Sequence, residues 1–460
     1  MNGQTVWRNS HNFLNNKTGP PEEDQTSWSR QVKIIWLAGM LVLMPFDMIN
    51  MRLNMTLMDF WVLAGLPVFW MSFFRKKQIV NLTYMVPMWL ILLGSLASIL
   101  VAAVPRNGLI VILKEAYIFI WFITITAVIS KLHPRDFRHI LVIWGAIVLL
   151  HGVVIIVQFF SQDFFRFTAK LAGQTNDYEL YRASGLLINP NKAAFFQLLG
   201  FVPVMLASPS KKARMTLGIF LLLSILATGS MGAILAFIAG LMVAVMVISL
   251  SGHFDVIFKF FVQITIILTI IGGSIFIIGI QNEHQQKHFE HIILGRSNRS
   301  SGGRFDIWQR GLKVFAAHDV FLWGVGPENF RELAGRDKQL HNDVFAFTVE
   351  RGIVATLGLV LFAIIAASRS VYLFLICNNS LYRTRLVFVV FLAAMAATII
   401  ESLTHQTFHF RELWLILAFQ EAILFQMKTS ENKMKTTTRP FNDPSRYRRD
   451  FVEQPDVLNG

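Results

Sequence analysis

The sequence predicts an all-α, polytopic membrane bundle, and three observations predict it. Mean hydropathy is +0.51. Charged residues make up only 15% of the chain, against roughly a quarter in an ordinary soluble domain. Apolar runs close to the ~20 residues that an α-helix needs to cross the hydrocarbon recur from residue 34 to residue 427. No β-rich section and no internal repeat accompany them.

About twelve spans are expected on this length criterion, over roughly 34–50, 55–74, 83–104, 109–130, 139–160, 186–207, 213–228, 231–250, 257–280, 352–376, 386–403 and 408–427. Thr228-Gly229-Ser230 either separates two spans or kinks one long helix. Lys/Arg placement sets the orientation. With the N-terminus inside, the inner loops carry Arg75-Lys76-Lys77, then Lys131, Arg135 and Arg138, then Lys211, Lys212 and Arg214, then Arg369, Arg383 and Arg385. The short outer loops hold only Arg52 and Arg106. This predicts a membrane protein with both termini cytoplasmic.

The resulting division is a disordered cytoplasmic tail over 1–33, helices over 34–280 with an outer loop at 161–185, a large outer loop over 281–351, helices over 352–427, and a basic tail over 428–460. The first tail has no apolar core or cleavage site of a signal peptide. A net charge of +14, from 42 Lys+Arg against 28 Asp+Glu, sits in short clusters between apolar runs. No basic patch interleaves with aromatics, which argues against nucleic acid as a partner. A single cysteine, Cys377, allows no disulfide within the chain.

The large outer loop has structure written into it. Phe305, Trp308, Leu312 and Phe315 recur at helical spacing, predicting an amphipathic helix whose apolar stripe rests on the bundle or at the headgroups. Gly324-Val325-Gly326-Pro327 breaks it, and a second helix starts near His341-Asn342-Asp343 and runs into the next span. Arginines on the outside run against the membrane bias. Long loops escape that bias, so solvation alone is one explanation. Taken together, Arg182, Arg296, Arg299 and Arg304, beside glycines 295, 302 and 303, also suit a pyrophosphate at the outer headgroup level. The guanidinium fork matches phosphate oxygens, and glycine lets backbone amides approach an anion.

His341 is the candidate general base, standing at a helix start that favours a neutral imidazole; a hydrogen bond to a loop carbonyl is its structural alternative. Glu401, His405, His409, Arg411 and Glu412 gather near the outer ends of the last two spans. A continuous helix would align Glu401, His405 and His409 at i,i+4, but a turn is expected inside this stretch, favouring a cleft lining over a metal site. Lys114 and Glu115 lie inside a span and require pairing, a cavity or, for the lysine, snorkelling. Asn189-Pro190-Asn191 opens a span with a broken start, so Asn191 is a further candidate for a cavity wall.

The order of motifs resembles the O-antigen ligase and O-antigen polymerase superfamily. It runs from Arg182-Ala-Ser-Gly185 and Asn189-Pro-Asn191 to Thr228-Gly-Ser230-Met-Gly232, then GGRFDIWQRGLKVFAAHDVFLWGVGPENF and LHNDVFAFTVERGIVATLG. The resemblance covers roughly 180–365 by motif and the remainder by hydropathy. It implies a helical bundle of the membrane glycosyltransferase type in the bacterial inner membrane, with a partly helical periplasmic loop. Such an enzyme takes a glycan from undecaprenyl pyrophosphate and passes it to an acceptor sugar hydroxyl, on lipid A–core or on another lipid-linked glycan, with no metal, cofactor or nucleotide sugar. It implies Arg304 at the pyrophosphate, His341 at the acceptor hydroxyl and Arg182 near the donor. One departure stands out: many relatives read Ser-Arg-Gly where this chain has Ser230-Met231-Gly232, so Arg182, Arg296 or Arg299 would replace that cation. A ligase is the first expectation and a polymerase the second. A polysaccharide transporter is the third, although it would place its charges deep in broken helices.

Overall fold

The computed structural model describes residues 27–46, 56–76, 83–171, 182–187, 189–250, 306–316, 321–334, 340–376 and 382–437. Among them there is no strand. The elements are α1 (Ser27–Leu43), α2 (Leu57–Lys76), α3 (Met85–Ile99), α4 (Pro105–Ser130), α5 (Pro134–Phe160), α6 (Gln162–Leu171), α7 (Pro190–Ala207), α8 (Lys211–Thr228) and α9 (Met231–Leu250). They continue with α10 (306–316), α11 (Phe330–Ala334), α12 (Asp343–Ile376), α13 (Tyr382–Ser402) and α14 (Arg411–Thr437). The all-helical membrane class is as expected. Four helices, α4, α5, α9 and the apolar part of α12, are long and apolar enough to cross a membrane; the apolar portions of α2, α3 and α13 are shorter. The count of about twelve crossings is therefore not established. The candidate at 257–280, residues 1–26 and 438–460 of the predicted tails, and Arg296, Arg299 and Arg304 lie outside the described residues; 27–33 belong to α1 and 428–437 to α14.

Local chemistry explains where the helices begin. Pro105 and Pro134 occupy first turns, where a missing N–H leaves no bond unmade. Asn189 caps α7 by accepting from Asn191 N at 2.8 Å, with Pro190 behind it. Ser210 caps α8 through Ala213 N at 3.1 Å, and Asn342 caps α12 through Phe345 N at 2.9 Å. Thr228-Gly229-Ser230 does separate two helices: Gly229 ends α8 in the left-handed region, at φ 60° and ψ 30°.

The bundle is built around α14, where every residue from Arg411 to Leu424 is buried. That helix packs along α4, while α9 runs beside α13 and α3 beside α12. The last pair approaches closely because glycines leave room. A Cβ at Gly94 would strike the Ala355 backbone, and one at Gly358 would strike Ile91; small residues are the usual means of bringing membrane helices together. Polar contacts finish the end where the sequence puts its basic loops. Arg30 grips Asp136 with two bonds, at 2.6 and 2.9 Å, Arg369 pairs with Glu421, and Gln426 donates to the carbonyls of Ser130 and Leu132.

At the opposite end, α10 forms as expected but turns a different face inward. Ile307, Gly311 and Val314 are buried, whereas Leu312 is 56% exposed. The buried stripe packs on Val325, Phe330, Leu340, Ala346 and Val349, and Trp308 Nε1 donates to Leu340 O at 3.0 Å. The helix thus rests on the loop's own segments, which offer a fitted apolar surface. The Gly324–Pro327 turn breaks the helix as read from sequence, and it also docks on a kink in α12. Val325 N donates to Val349 O, Gly326 N to Glu350 O and Ile353 N to Phe321 O, at 2.8–3.0 Å. At the kink, Gly352 adopts φ 72° and ψ −175°, a conformation essentially restricted to glycine, and the Leu322 carbonyl fills the space a Cβ would need. Gly352→Ala is therefore expected to destabilise the protein by about 1–3 kcal/mol or more. Thermal unfolding in detergent checks this: a variant melting with the wild type would show that the kink is not required.

Candidate active site

The site assembles where the ends of α5, α7, α8, α9, α12 and α13 meet. Its first wall is the segment 182–187. Gln158, buried near the end of α5, accepts from the backbone N–H groups of Ser184 (2.9 Å) and Gly185 (2.8 Å) and donates to Gly185 O (2.8 Å). This clamp fixes the segment and aims Arg182 across the bundle. The Arg182 guanidinium donates to Thr228 O and Gly229 O at 3.2 Å each and to Asn191 Oδ1 at 2.8 Å. Arg182 and Asn191, both singled out in the sequence, are thus brought together on the α8–α9 turn.

That turn leans on the next wall. Gly232 sits so close to α13 that a Cβ would collide with Thr404 Oγ1 and crowd the Glu401 carboxylate and the His405 ring. Glu401 is fully buried, and its Oε1 lies 2.6 Å from His405 Nδ1. The expected turn follows at once: α13 ends at Ser402 and the chain folds through 403–410 before α14. Glu401 and His405 remain together, while His409 turns elsewhere. Among the described residues, no group of three or more His, Cys, Asp or Glu could hold a metal ion.

His341 completes the arrangement. Its backbone has φ 49°, uncommon for a residue with a side chain, and the two residues after it hold it there. Asn342 Nδ2 donates to Leu403 O at 3.0 Å. Asp343 Oδ2 accepts from Thr407 N and Thr407 Oγ1, both at 2.8 Å, and from Phe408 N at 3.1 Å. These bonds bind the 341–343 segment to the 403–408 turn. The His341 ring comes to rest 6.5 Å, centroid to centroid, from that of His405.

Beneath lie two buried polar groups that sequence reasoning only half saw. Glu115, recognised as needing a partner, meets Arg351 on α12 and His409 Nε2, the latter at 2.9 Å. Arg351 also lies over the Phe347 ring at 4.0 Å. Arg411 is engaged with Asp59, its Nε donating to Oδ1 at 2.8 Å, and Tyr117 donates to the same carboxylate at 3.0 Å. His409 and Arg411 thus point into paired networks below the His341–His405 level.

Sequence reading missed Arg351, Asp59, Tyr117, Gln158 and Gly232. A signal existed for the charged ones: Asp59, like Glu115, lies inside a candidate span and Arg351 at the edge of one, and such groups require opposite charges. Nothing local marks Gln158, and Gly232 stood only as part of the Ser230-Met231-Gly232 motif; the role of each depends on what packs against it.

Removing one partner of the Glu115–Arg351 pair leaves a charge buried without compensation. Arg351→Met is expected to destabilise by about 3–5 kcal/mol, while adding Glu115→Gln restores part of that loss. Unfolding midpoints of the three variants in detergent check the coupling; strict additivity would show that the pair does not interact.

No curated protein matches this chain. Residues 216–360 match the family model described as O-antigen ligase, a region holding the α8–α9 turn, α10, the Gly324–Pro327 turn and His341. This match, on an all-helical membrane chain with these motifs in this order, supports placing the protein in the O-antigen ligase superfamily.

Proposed function

We propose that the protein is a membrane glycosyltransferase that moves a glycan from undecaprenyl pyrophosphate to a sugar hydroxyl on the periplasmic face, acting as an O-antigen ligase on lipid A–core. The observation that carries the reading is the convergence of His341, the His405 ring and the Arg182-held turn at one end of the bundle. The family match supports a glycan enzyme of this type, and the basic inner loops support the sidedness.

The chemistry follows from the leaving group. A pyrophosphate departs readily once cations meet its developing charge, so neither a covalent intermediate nor a metal is needed. The acceptor oxygen attacks the anomeric carbon from the face opposite the pyrophosphate, giving inversion. The new C–O bond forms as the bond to the pyrophosphate breaks, and the acceptor proton passes to His341. In this scheme Arg304, Arg296 and Arg299 approach the pyrophosphate from the loop, and Arg182 adds its charge at the α8–α9 turn. Met231, where many relatives carry arginine, is 62% exposed at that turn, and Arg182 reaches the same two carbonyls from the neighbouring wall. Arg182 is therefore our choice for the substitute cation. Asn191, Glu401 and His405 line the cleft in the same reading.

A polymerase would use the same chemistry with a lipid-linked glycan as acceptor. Lipopolysaccharide from a deletion strain distinguishes the two. Core without O-chain, with polymer left on the carrier, identifies a ligase; core bearing a single repeat identifies a polymerase. In proteoliposomes supplied with lipid-linked donor and acceptor on one side, His341→Ala is expected to slow transfer by about 100- to 10,000-fold. Arg304→Ala removes a charge-assisted contact worth about 1.5–3 kcal/mol and should slow transfer tenfold or more. Wild-type rates from both normally inserted variants would overturn the assignment.

A further inference from the structure

We propose that Glu401 and His405 form a carboxylate–imidazole dyad that takes over the acceptor proton from His341, so that the transfer uses two imidazoles in series. This deepens the reading above and rests on it.

The geometry begins with Glu401. Its carboxylate is fully buried, and its Oε1 lies 2.6 Å from His405 Nδ1. Among the described residues, neither Glu401 oxygen receives a hydrogen bond, so the ion-pair contact with His405 is its principal polar approach. Asp343 differs in degree: its Oδ2 accepts three bonds from backbone and hydroxyl donors, as an anchoring group should, although its Oδ1 receives none among the described residues. Glu401 instead has the imidazole as its chief neighbour. A carboxylate at Nδ1 holds a histidine in the tautomer whose Nε2 accepts a proton, and stabilises the imidazolium that results. Thr404 Oγ1, 3.1 Å from the same Nδ1, borders the ring on that side.

The position of the dyad fits a role in series with His341. The two rings are 6.5 Å apart and nearly perpendicular, with an interplanar angle of 73°. One water or the acceptor hydroxyl itself spans such a gap. Gly232 is the reason the dyad can stand so near the Arg182-held turn, since any side chain there would press on Glu401 and His405.

The step balances as follows. The acceptor O–H bond breaks as its oxygen bonds to the anomeric carbon. The C–O bond to the pyrophosphate breaks, and its electron pair leaves with the phosphate oxygen. The proton moves to His341 and on to His405 Nε2, while the Nδ1–H of His405 faces the Glu401 carboxylate. Product release and exchange with water return the proton to solvent. Glu401 and His405 act through His341 and are positioning residues in this sense.

The test separates charge from shape. Glu401→Gln keeps the size and the hydrogen-bond acceptor but removes the charge, and Glu401→Asp keeps the charge on a shorter arm. Both are measured beside His341→Ala in proteoliposomes, with lipid-linked glycan as donor, together with thermal midpoints. Expected are a kcat for Glu401→Gln lowered by about tenfold or more, an unchanged KM for the donor, a midpoint at or above the wild-type value, and partial recovery of kcat in Glu401→Asp. A purely structural carboxylate would be served by glutamine. Wild-type turnover by Glu401→Gln with an impaired His341→Ala overturns the dyad and leaves the glycosyltransferase assignment standing. Wild-type turnover by both overturns the dyad and the role of His341 together.

Discussion

A carboxylate sunk among apolar helices is the constraint on which the rest of this end of the molecule depends. Glu115 can stay charged there only if a cation comes to it, and Arg351 does so from the far side of α12. Meeting it requires α12 to bring residue 351 inward just before the chain turns. The kink at Gly352 and the Gly324–Pro327 turn docked upon it make that possible. His409 then descends from the 403–410 turn onto the same carboxylate. One buried anion therefore ties α4, α12 and the approach to α14 into a common floor. His341 and His405 are carried by two of these pieces, so their spacing is set from below.

This arrangement separates groups that hold from groups that react. Asp59–Arg411, Glu115–Arg351 and Asp343 each have at least one carboxylate oxygen answered by a hydrogen-bonding partner. Their energetic value is specificity of position, since a buried pair recovers little net stability beyond its own desolvation. Glu401 is different. It is as buried as the others, yet neither of its oxygens receives a hydrogen bond among the described residues, and its close polar neighbour is an imidazole. A site that must shuttle a proton needs one group whose charge is left incompletely satisfied by the fold, and Glu401 best meets that description among the described residues.

Much of this was legible in the sequence because it depends on local rules. Hydropathy set the all-helical membrane class, though not the number of crossings. Asn189 and the His341-Asn342-Asp343 stretch marked two starts, and Thr228-Gly229-Ser230 marked a break or a kink, which the structure resolves as a break. The Gly324–Pro327 break and the helix beginning beside His341 were also plain. The face of α10 was not. Leu312 follows the same spacing as Trp308 and Phe315, and only the fitted surface of Leu340, Ala346 and Val349 decides which side is covered. The turn expected within Glu401, His405 and His409 is present, since the helix ends at Ser402, but only the packing shows that His409 goes to Glu115. Side-chain periodicity names candidates for contact; the partner, which lies hundreds of residues away, chooses among them.

The location of the site at helix ends suits the proposed chemistry for a physical reason. A polyprenyl carrier keeps its chain in the hydrocarbon and its diphosphate among the headgroups, so the cations that meet it must stand at the rim. Charges placed deeper would each require a buried counter-charge, as Glu115 and Asp59 do here. Arg182 illustrates the solution. It is carried by a segment clamped to Gln158, and it reaches the terminal carbonyls of α8. These carbonyls form the negative end of a helix dipole, which steadies a guanidinium while the bundle floor stays paired. A chain with methionine at position 231 can thus keep a cation at the same turn by borrowing it from the neighbouring wall.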